Sequence, residues 1–497
     1  MSSMELLRGF FSLLFGGIVA FGIYDRYDTQ LPDDDFSRVD RHFAPFISPW
    51  LLPLFLVIFL AEVLINGFNG GLSHFGAMCI GIFIHMSIYF ALLIAVSPLL
   101  RRFISARTCA VLWLLPNMLY LCEMNFMQRD VPKRIIKIRG NWIRYAAAIW
   151  LAGAAAVLIW KLAEHAVFRK RILASTFPER NSDINNAWSE MQKEVKLKRA
   201  NIPLMRSKAV TSPISVGLFV PTTFVVLPHR DYSPEELELI LRHELIHIIR
   251  RDAQTKFFLI FCAAVCWFNP LMWIAIRRCA EDLELSCDEL VLEGEDDAAK
   301  RRYADLILSC AGETRGFTSS LAPKAESLRY RLKQIMSPAK RLSGALIAGL
   351  ALSLMLITAG GLAIAHDEDT AENLAFGGKV PVFSSDKVID YGTRTDDGGM
   401  KLTAYFCTDP GALMNYISGL EVSRLSGNFR MEEAGPFLEI FLPGENGPRI
   451  FALENNIISI VDLGSKNLIK EVWLLEQAPD WDYVCSLLVK KNNAKMP

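Results

Sequence analysis

The sequence lacks a net charge, a repeat of fixed period and a low-complexity segment. Its 497 residues carry 53 Lys and Arg against 53 Asp and Glu, so no overall basic balance points to direct contact with nucleic acid. Without a repeat, the chain offers no basis for a solenoid or a propeller. Histidine is also scarce, with eight residues in all, so that a close pair of histidines is a conspicuous feature.

Cysteine gives no disulfide framework. Four of the ten cysteines lie inside apolar segments, where cysteine packs as a small hydrophobic side chain: Cys79, Cys109, Cys262 and Cys266. Beyond residue 365 there are two, Cys407 and Cys485. They can form one disulfide if that part of the chain lies outside the cytoplasm, and the sequence leaves this open.

What the chain has in quantity is apolar residues. They make up 52% of the sequence, and the mean hydropathy is +0.26, as in proteins with several membrane spans. Six windows are long enough to cross a hydrocarbon core of about 30 Å. They are residues 9–24, 49–68, 75–98, 105–122, 144–163 and 342–365. The sequence therefore predicts a multi-pass α-helical membrane protein, in which lipid is one of the partners.

Two regions differ from the spans. Residues 164–341 mix amphipathic helix patterns with short β-branched runs, and residues 366–497 alternate strand-like runs with Gly, Pro and Asn turns. The tail is acidic, with 20 Asp and Glu against 12 Lys and Arg. We predict five parts: 1–74, extra N-terminal spans and loop; 75–163, a transmembrane bundle; 164–341, an α+β domain; 342–365, the last span; and 366–497, a small α+β domain.

The stretch "LRHELIHIIRRD" places His243 and His247 four residues apart. On a helix these side chains share one face, so both imidazoles can reach one tetrahedral Zn²⁺. Glu244 follows the first histidine and can take a proton from the attacking water as a general base. For a composition with eight histidines, the chance of this spacing arising once is roughly 0.01, so chance is the weaker explanation.

A catalytic zinc of this kind needs a third protein ligand, often a carboxylate. The downstream stretch "AEDLELSCDELVL" places Glu281, Glu284 and Asp288 near one helix face. We predict Glu284 as the third ligand and Asp288 as the residue that accepts a hydrogen bond from a ligand histidine. An acidic face exposed to solvent is the alternative, and the upstream histidine pair argues against it.

Upstream, "PISVGLFVPTTFVVLP" predicts two short strands joined by a turn. The stretch from Val216 to Leu227 is predicted to supply an edge strand beside the zinc, which would hold an extended peptide by main-chain hydrogen bonds. The substrate-binding residues predicted in it are Gly217, Leu218, Phe219 and Val220.

These motifs together resemble the membrane metallopeptidase domain of the BlaR/MecR antirepressors, the bacterial β-lactam sensor-transducers. The resemblance covers roughly residues 75–365 and includes "FNP" at 268–270 and Glu-x-x-Cys-Asp at 284–288. It implies a gluzincin-like fold in the bacterial inner membrane, with His243, His247 and Glu284 on zinc. It also implies that Glu244 is the base and that cleavage of a cytoplasmic transcriptional repressor relieves repression.

The chain also departs from that family. About 130 residues follow the last predicted span, too few for a penicillin-binding domain, and "SSDK" at 384–387 has no Lys-Thr-Gly partner. β-Lactam sensing is therefore not expected, and the extracytoplasmic ligand is unknown. Two extra spans at the N-terminus also lie outside the family's usual arrangement.

Topology follows from the ligands. His247 and Glu284 must lie on one side of the membrane, so the apolar segment 257–276 between them cannot cross it once. We predict a membrane-associated segment that is broken at Asn269-Pro270. The resemblance favours a cytoplasmic peptidase domain and an extracytoplasmic tail, although the basic loop 123–143 would then lie outside, against the positive-inside tendency.

The leading hypothesis is a zinc endopeptidase of a signalling pathway that cuts a cytoplasmic regulator. Self-cleavage within residues 310–326 is an extension of this hypothesis. A quality-control protease that degrades membrane proteins is the alternative, and a receptor without turnover is the third. The sequence gives no oligomeric state.

Overall fold

A computed structural model describes most of the chain. The described residues are 3–28, 51–116, 119, 134–138, 142–194, 201–309, 325–336, 342–359, 362–395, 400–426, 435–444, 447–463 and 469–491.

The apolar helices are α1 (Ser3–Asp28), α2 (Leu51–Phe103), α3 (Ala106–Leu112), α4 (Trp142–Ser175) and α11 (Ala345–Thr358). Within the described residues, three helical segments are long and apolar enough to cross a membrane: Glu5–Tyr24, Phe75–Phe103 and Arg144–Ser175. They agree with the predicted windows 9–24, 75–98 and 144–163.

The other predicted spans need correction. Windows 49–68 and 75–98 lie on one continuous helix, α2. The stretch between them, "NGFNGGLSHFGAM", contains glycines but no proline, and glycine weakens a helix far less than proline does. In place of the window 105–122, α3 has only seven residues and packs as a buried helix. The predicted last span also contains a shorter helix, since the 14 residues of α11 extend about 21 Å, less than the hydrocarbon thickness of about 30 Å.

The extra N-terminal helix packs against α11. Gly16 lies so close to Ser353 and to the backbone of Gly349 that a Cβ there would clash. The buried guanidinium of Arg8 donates to the carbonyl of Leu356, 2.8 Å away, near the end of α11. These contacts make α1 and α11 an antiparallel pair.

The next part of the chain, from residue 176 to 336, combines a small sheet with helices. Its strands are β2 (Thr176–Pro178), β3 (Leu204–Ser207), β4 (Ile214–Val216) and β5 (Phe224–Pro228), in the order β2-β3-β5-β4. Its helices are α5 (Ser182–Glu194), α6 (Pro234–Ile249), α7 (Asp252–Val265), α8 (Pro270–Val291), α9 (Asp297–Ser309) and α10 (Ala325–Met336). One apolar cluster joins β3 and β5 to α6, α8, α9 and α10.

The chain turns between α7 and α8, within the apolar segment 257–276. Helix α7 ends at Val265, and α8 begins at Pro270 with the side chain of Asn269 accepting a hydrogen bond from the amide of Leu271, 3.0 Å away. Proline is favoured at the first position of a helix because it has no amide to leave unpaired there. The break therefore lies at the predicted Asn269-Pro270 pair.

The C-terminal part is a mixed domain with one large sheet. Its strands are β6 (Leu362–Thr370), β7 (Val388–Arg394), β8 (Met400–Cys407), β9 (Glu421–Ser426), β10 (Gly435–Gly444), β11 (Gly447–Glu454), β12 (Ile457–Asp462), β13 (Ile469–Leu475) and β14 (Leu488–Lys490). Three short helices accompany them: α12 (Ala371–Leu374), α13 (Pro410–Ser418) and α14 (Trp481–Ser486). Cys407 and Cys485 are free thiols here.

A strand from far upstream completes this sheet. Strand β1 (Arg134–Lys137) pairs in parallel with β6 at the sheet edge, and Ile138 donates its amide to the carbonyl of Ala365. Strand β1, which precedes α4, therefore belongs to the sheet of the C-terminal domain. Helix α4 then leads to β2, in the other sheet.

Candidate metal centre

Helix α6 presents the two histidines. The side chain of Ser233 accepts from the amide of Glu236, and the Glu236 side chain accepts from the amide of Ser233, a reciprocal cap that fixes where the helix starts. From that start His243 and His247 share one face, and their Nε2 atoms lie 3.0 Å apart. Two imidazole nitrogens at this separation can bind one ion at ordinary zinc–nitrogen distances of about 2.0–2.1 Å.

Helix α8 brings Glu284 to the same place. Its Oε2 lies 3.8 Å from Nε2 of His243 and 3.7 Å from Nε2 of His247. Burial raises the pKa of this carboxyl, but the neighbouring His247 and Lys256 outweigh it and hold the pKa well below its usual range. The predicted three residues are thus brought together, with Glu284 as a carboxylate.

His247 is oriented by a residue that the sequence analysis missed. Its Nδ1 lies 2.6 Å from Oδ2 of Asp252, and both side chains are almost fully buried. Asp252 in turn accepts from the buried Arg250, whose Nη1 donates to Ser286 on α8, 2.6 Å away. A carboxylate on Nδ1 leaves the Nε2 lone pair for a metal.

His243 is oriented through a hydroxyl. Tyr303 on α9 donates to Oδ1 of Asp288, 2.8 Å away, so its oxygen accepts from Nδ1 of His243, also at 2.8 Å. Asp288 itself lies 3.9 Å from that Nδ1, which is too far for a direct hydrogen bond. The predicted partner therefore reaches the histidine through Tyr303, which no spacing rule in the sequence could identify.

Two cations border Glu284 and were also missed. Lys256 on α7 has its Nζ 3.3 Å from Oε1, and Arg331 on α10 has its Nη1 3.5 Å from Oε2. Arg331 also binds both oxygens of Asp288, each at 2.7 Å. Lys256 follows His247 by nine residues and Arg331 follows it by 84, and the packing of α7 and α10 brings both side chains to Glu284.

Glu244 is the buried carboxyl of the site. It is 3% exposed, and among the described residues its Oε2 has no hydrogen-bond partner. Burial raises the pKa of Glu244 above its ordinary value. Because a buried polar atom without a partner is costly, this oxygen marks a place where a water or a substrate group would be accommodated.

Cys287 offers an alternative third donor. It groups with His243 and His247, with donor atoms within 4.8 Å of one another. Its Sγ lies 3.3 Å from Nδ1 of His243, on the ring nitrogen opposite to the one that faces Glu284. Burial raises the pKa of the Cys287 thiol. Both donor sets share the two histidines, and both are of the type that binds zinc.

A cleft runs beside the site. It is lined by residues of β4, of the following turn and of the α6–α7 junction: Ser215, Gly217, Leu218, Thr223, His247, Arg251, Asp252 and Gln254. The prediction of a strand over Gly217, Leu218, Phe219 and Val220 is wrong. Strand β4 ends at Val216, Gly217 has φ +144°, and a short 3-10 turn covers Val220–Thr222. The edge strand is instead Ile214–Val216.

Residues 310–324 lie outside the described residues. The segment predicted to contain a self-cleavage site, residues 310–326, therefore lies almost entirely outside them.

Comparisons with known proteins match this part of the chain. The sequence model of the family described as BlaR1 peptidase M56 matches residues 138–335. The regulatory protein BlaR1 of Bacillus licheniformis is 29% identical over 222 residues, which is 42% of this chain and 36% of that protein. The methicillin resistance mecR1 protein of Staphylococcus aureus is 25% identical over 166 residues, 33% of this chain and 28% of that protein. The chain thus spans about a third of the length of these relatives.

Proposed function

We propose, from the premise that this chain belongs to the BlaR/MecR family, that it is a membrane-bound zinc endopeptidase of a signal-transduction pathway. The family match supports a metallopeptidase, and the apolar helices fit a membrane protein. The further proposal is that the enzyme is of the gluzincin type. One observation carries it: the Nε2 atoms of His243 and His247 both face Oε2 of Glu284. The buried Glu244, next to His243 in the chain, interacts electrostatically with His247 and Glu284.

In this proposal His243, His247 and Glu284 hold the zinc. We prefer Glu284 to Cys287 because its oxygen faces the Nε2 atoms of both histidines, whereas the thiol contacts Nδ1 of His243, which Tyr303 already engages. When bound, zinc supplies Lewis acidity, which makes water a stronger acid and a carbonyl carbon more electrophilic. The donor set and the partnerless oxygen of Glu244 fit such an ion.

Glu244 is the proposed general base. Burial, by raising its pKa, brings the carboxylate closer to the pH at which proton transfer is most effective. Its unpaired oxygen can accept a proton from the attacking water and later deliver it to the leaving amine. Both transfers need the carboxylate next to the reacting carbonyl, which its position one residue after His243 provides.

The substrate is proposed to lie along the cleft. Strand β4 is at the end of its sheet, so its outer edge can pair with an extended peptide. Gly217 and Leu218 line the cleft with His247, and we propose that they, with Phe219 and Val220, contact the peptide as a turn rather than as a strand.

The cellular role is proposed from the family. The substrate would be a cytoplasmic transcriptional repressor or another regulator, with the peptidase domain on the cytoplasmic side of the bacterial inner membrane. The C-terminal domain would lie on the extracytoplasmic side and bind an unknown ligand. The proposed bounds of the five parts are those predicted from the sequence. Strand β1 supports a common side for the basic stretch before α4 and the C-terminal sheet.

The test replaces the base. We expect Glu244→Gln to keep about one zinc per chain and to lose peptidase activity by roughly 10² or more, because base-assisted proton transfer contributes on that scale. The measurements are zinc content and the cytoplasmic protein fragments that disappear when the variant replaces the parent. Glu238→Gln, on an exposed position of the same helix, is the matched control and should behave as the parent. Full activity in Glu244→Gln would overturn the mechanism.

A further inference from the structure

Arg331 joins both acidic residues of α8 that face the metal centre. Its guanidinium binds Asp288 through two parallel hydrogen bonds of 2.7 Å, and its Nη1 lies 3.5 Å from Oε2 of Glu284. The side chain is 12% exposed. Paired hydrogen bonds from one guanidinium fix the orientation of a carboxylate as well as its position.

Through Asp288 the same guanidinium reaches a histidine. Asp288 accepts the hydroxyl proton of Tyr303, and that hydroxyl is 2.8 Å from Nδ1 of His243. Arg331 therefore touches the proposed third ligand, Glu284, and stands at the end of the hydrogen-bond chain that orients the first, His243.

Helix α10 owes its place to tertiary packing. On one side Leu332 and Ile335 pack into the apolar cluster that includes α6. On the other, the ring of Tyr330 lies 5.9 Å from the guanidinium carbon of Arg101, near the end of α2. Arg101 also pairs with Asp282 on α8, at 2.7 Å. The helix that carries Arg331 thus contacts both the peptidase core and the end of an apolar helix.

We propose that Arg331 is a positioning residue of the metal centre: by holding Asp288 and Glu284 it sets His243 and Glu284 for zinc, and it makes zinc binding depend on where α10 lies. This rests on the proposed function, since it takes the proposed ligand set as given. Without the guanidinium, Asp288 would be a buried carboxylate lacking its cation, and the side chain would be expected to turn away from Tyr303.

The test measures zinc affinity directly, by competition with a chromophoric chelator on the full-length protein in detergent. Removing residues that orient metal ligands typically weakens metal binding about 10- to 100-fold. We expect a loss of this size for Arg331→Gln. The matched control is Arg278→Gln, which removes the pair between the exposed Arg278 and Glu281 on α8, the helix that carries Glu284 and Asp288, and should leave zinc affinity unchanged.

An ion pair that only stabilises the fold gives a different result. It would lower the thermal unfolding temperature of Arg331→Gln but leave the zinc affinity of the folded protein equal to that of the parent, and this outcome overturns the proposal. If Arg331→Gln does not fold, Arg331→Lys decides, because it keeps the charge but cannot form the paired hydrogen bonds. A folded Arg331→Lys with parent affinity also overturns it, and a several-fold loss supports it.

A third variant separates this inference from the proposed function. Loss of zinc in His243→Ala with unchanged affinity in Arg331→Gln would remove the role of Arg331 and leave the proposed metal site in place. Retention of zinc in His243→Ala would instead remove the proposed ligand set itself.

Discussion

The two histidines of the metal centre are held in different ways. His247 is oriented by Asp252, five residues further along the chain, and Asp252 is fixed by its near neighbour Arg250. His243 is oriented by Tyr303 on α9, which depends on Asp288 on α8 and through it on Arg331 on α10. The first support is local in sequence and the second is assembled from three helices.

The two histidines also differ in how far their side chains are buried. The side chains of His247 and Asp252 are 2% and 1% exposed, whereas that of His243 is 14% exposed. The support of His247 depends on the α6–α7 junction and on the hydrogen bonds from Arg250 to Ser286 and to the carbonyl of Leu283 on α8. The support of His243 requires α8, α9 and α10 to keep their relative positions, so movement of α9 or α10 would act on His243 more than on His247.

The largest effect that tests this comparison is expected from Asp252→Asn. It removes the charge that fixes His247 and leaves the buried Arg250 without its carboxylate. We expect zinc affinity to fall about 10- to 100-fold and the folded state to lose about 3 kcal/mol, as when one partner of a buried ion pair is removed. Chelator competition and chemical unfolding measure the two quantities.

The matched control for this variant is Asp297→Asn. Asp297 pairs with Lys300 at the surface, where its side chain is 89% exposed, and such pairs contribute little. Parent-like zinc binding and stability in Asp252→Asn would show that the local support is dispensable, and the comparison between the two histidines would fail.

A smaller effect is expected from Tyr303→Phe. This change keeps the ring in the apolar cluster and removes only the hydroxyl between His243 and Asp288. We expect zinc affinity to fall by about 10-fold or less, because His243 is partly exposed and water can replace the hydroxyl. The measurement is again chelator competition, with Tyr232→Phe in the same cluster as control.

The relative loss of zinc affinity in Asp252→Asn and in Tyr303→Phe tests which support is the stronger. If Tyr303→Phe weakened zinc binding more than Asp252→Asn, the assembled support would be the stronger one, and the inference drawn from burial would be reversed.

The sequence predicted the parts of the site that depend on local rules. A capped helix with two histidines one turn apart, a break at Asn269-Pro270 and a carboxylate on the following helix all follow from spacing and capping, and α6, α8 and their junction have these features. The roles of Glu244, Glu284 and Asp288 remain predictions, supported by their proximity.

Residues that depend on the packing of separate helices were not predictable in the same way. Tyr303 and Arg331 lie 60 or more positions after His243, on α9 and α10. No periodicity in the sequence links them to His243. Asp252 was closer, in "HIIRRD", but its contact requires the turn at Arg251, a non-glycine residue with φ +58°. A run of apolar residues likewise indicates hydrophobicity, but it does not distinguish a buried helix such as α3 from a membrane-spanning helix.

The smallest effect is expected from Ser215→Ala, which leaves both histidine supports intact and changes only the base between them. Burial raises the pKa of Glu244, and the hydrogen bond from the Ser215 hydroxyl lowers it in part. Removing the hydroxyl should therefore raise this pKa further. Since the base must be ionised to accept a proton, activity on a peptide substrate should begin to fall at a higher pH as the solution is acidified.

The measurement for this variant is kcat/KM against pH, together with zinc content, which should stay at the parent value. Ser212→Ala removes a hydroxyl just before β4, outside the residues that line the cleft, and should leave the acidic limb where it is in the parent. An acidic limb that stays in place or moves to lower pH in Ser215→Ala, at unchanged zinc content, would mean that Ser215 does not tune the base. Glu244 would then owe its ionisation to the neighbouring His247 and Lys256, which also lower its pKa, and the histidine with the local support would be the one that acts on the base.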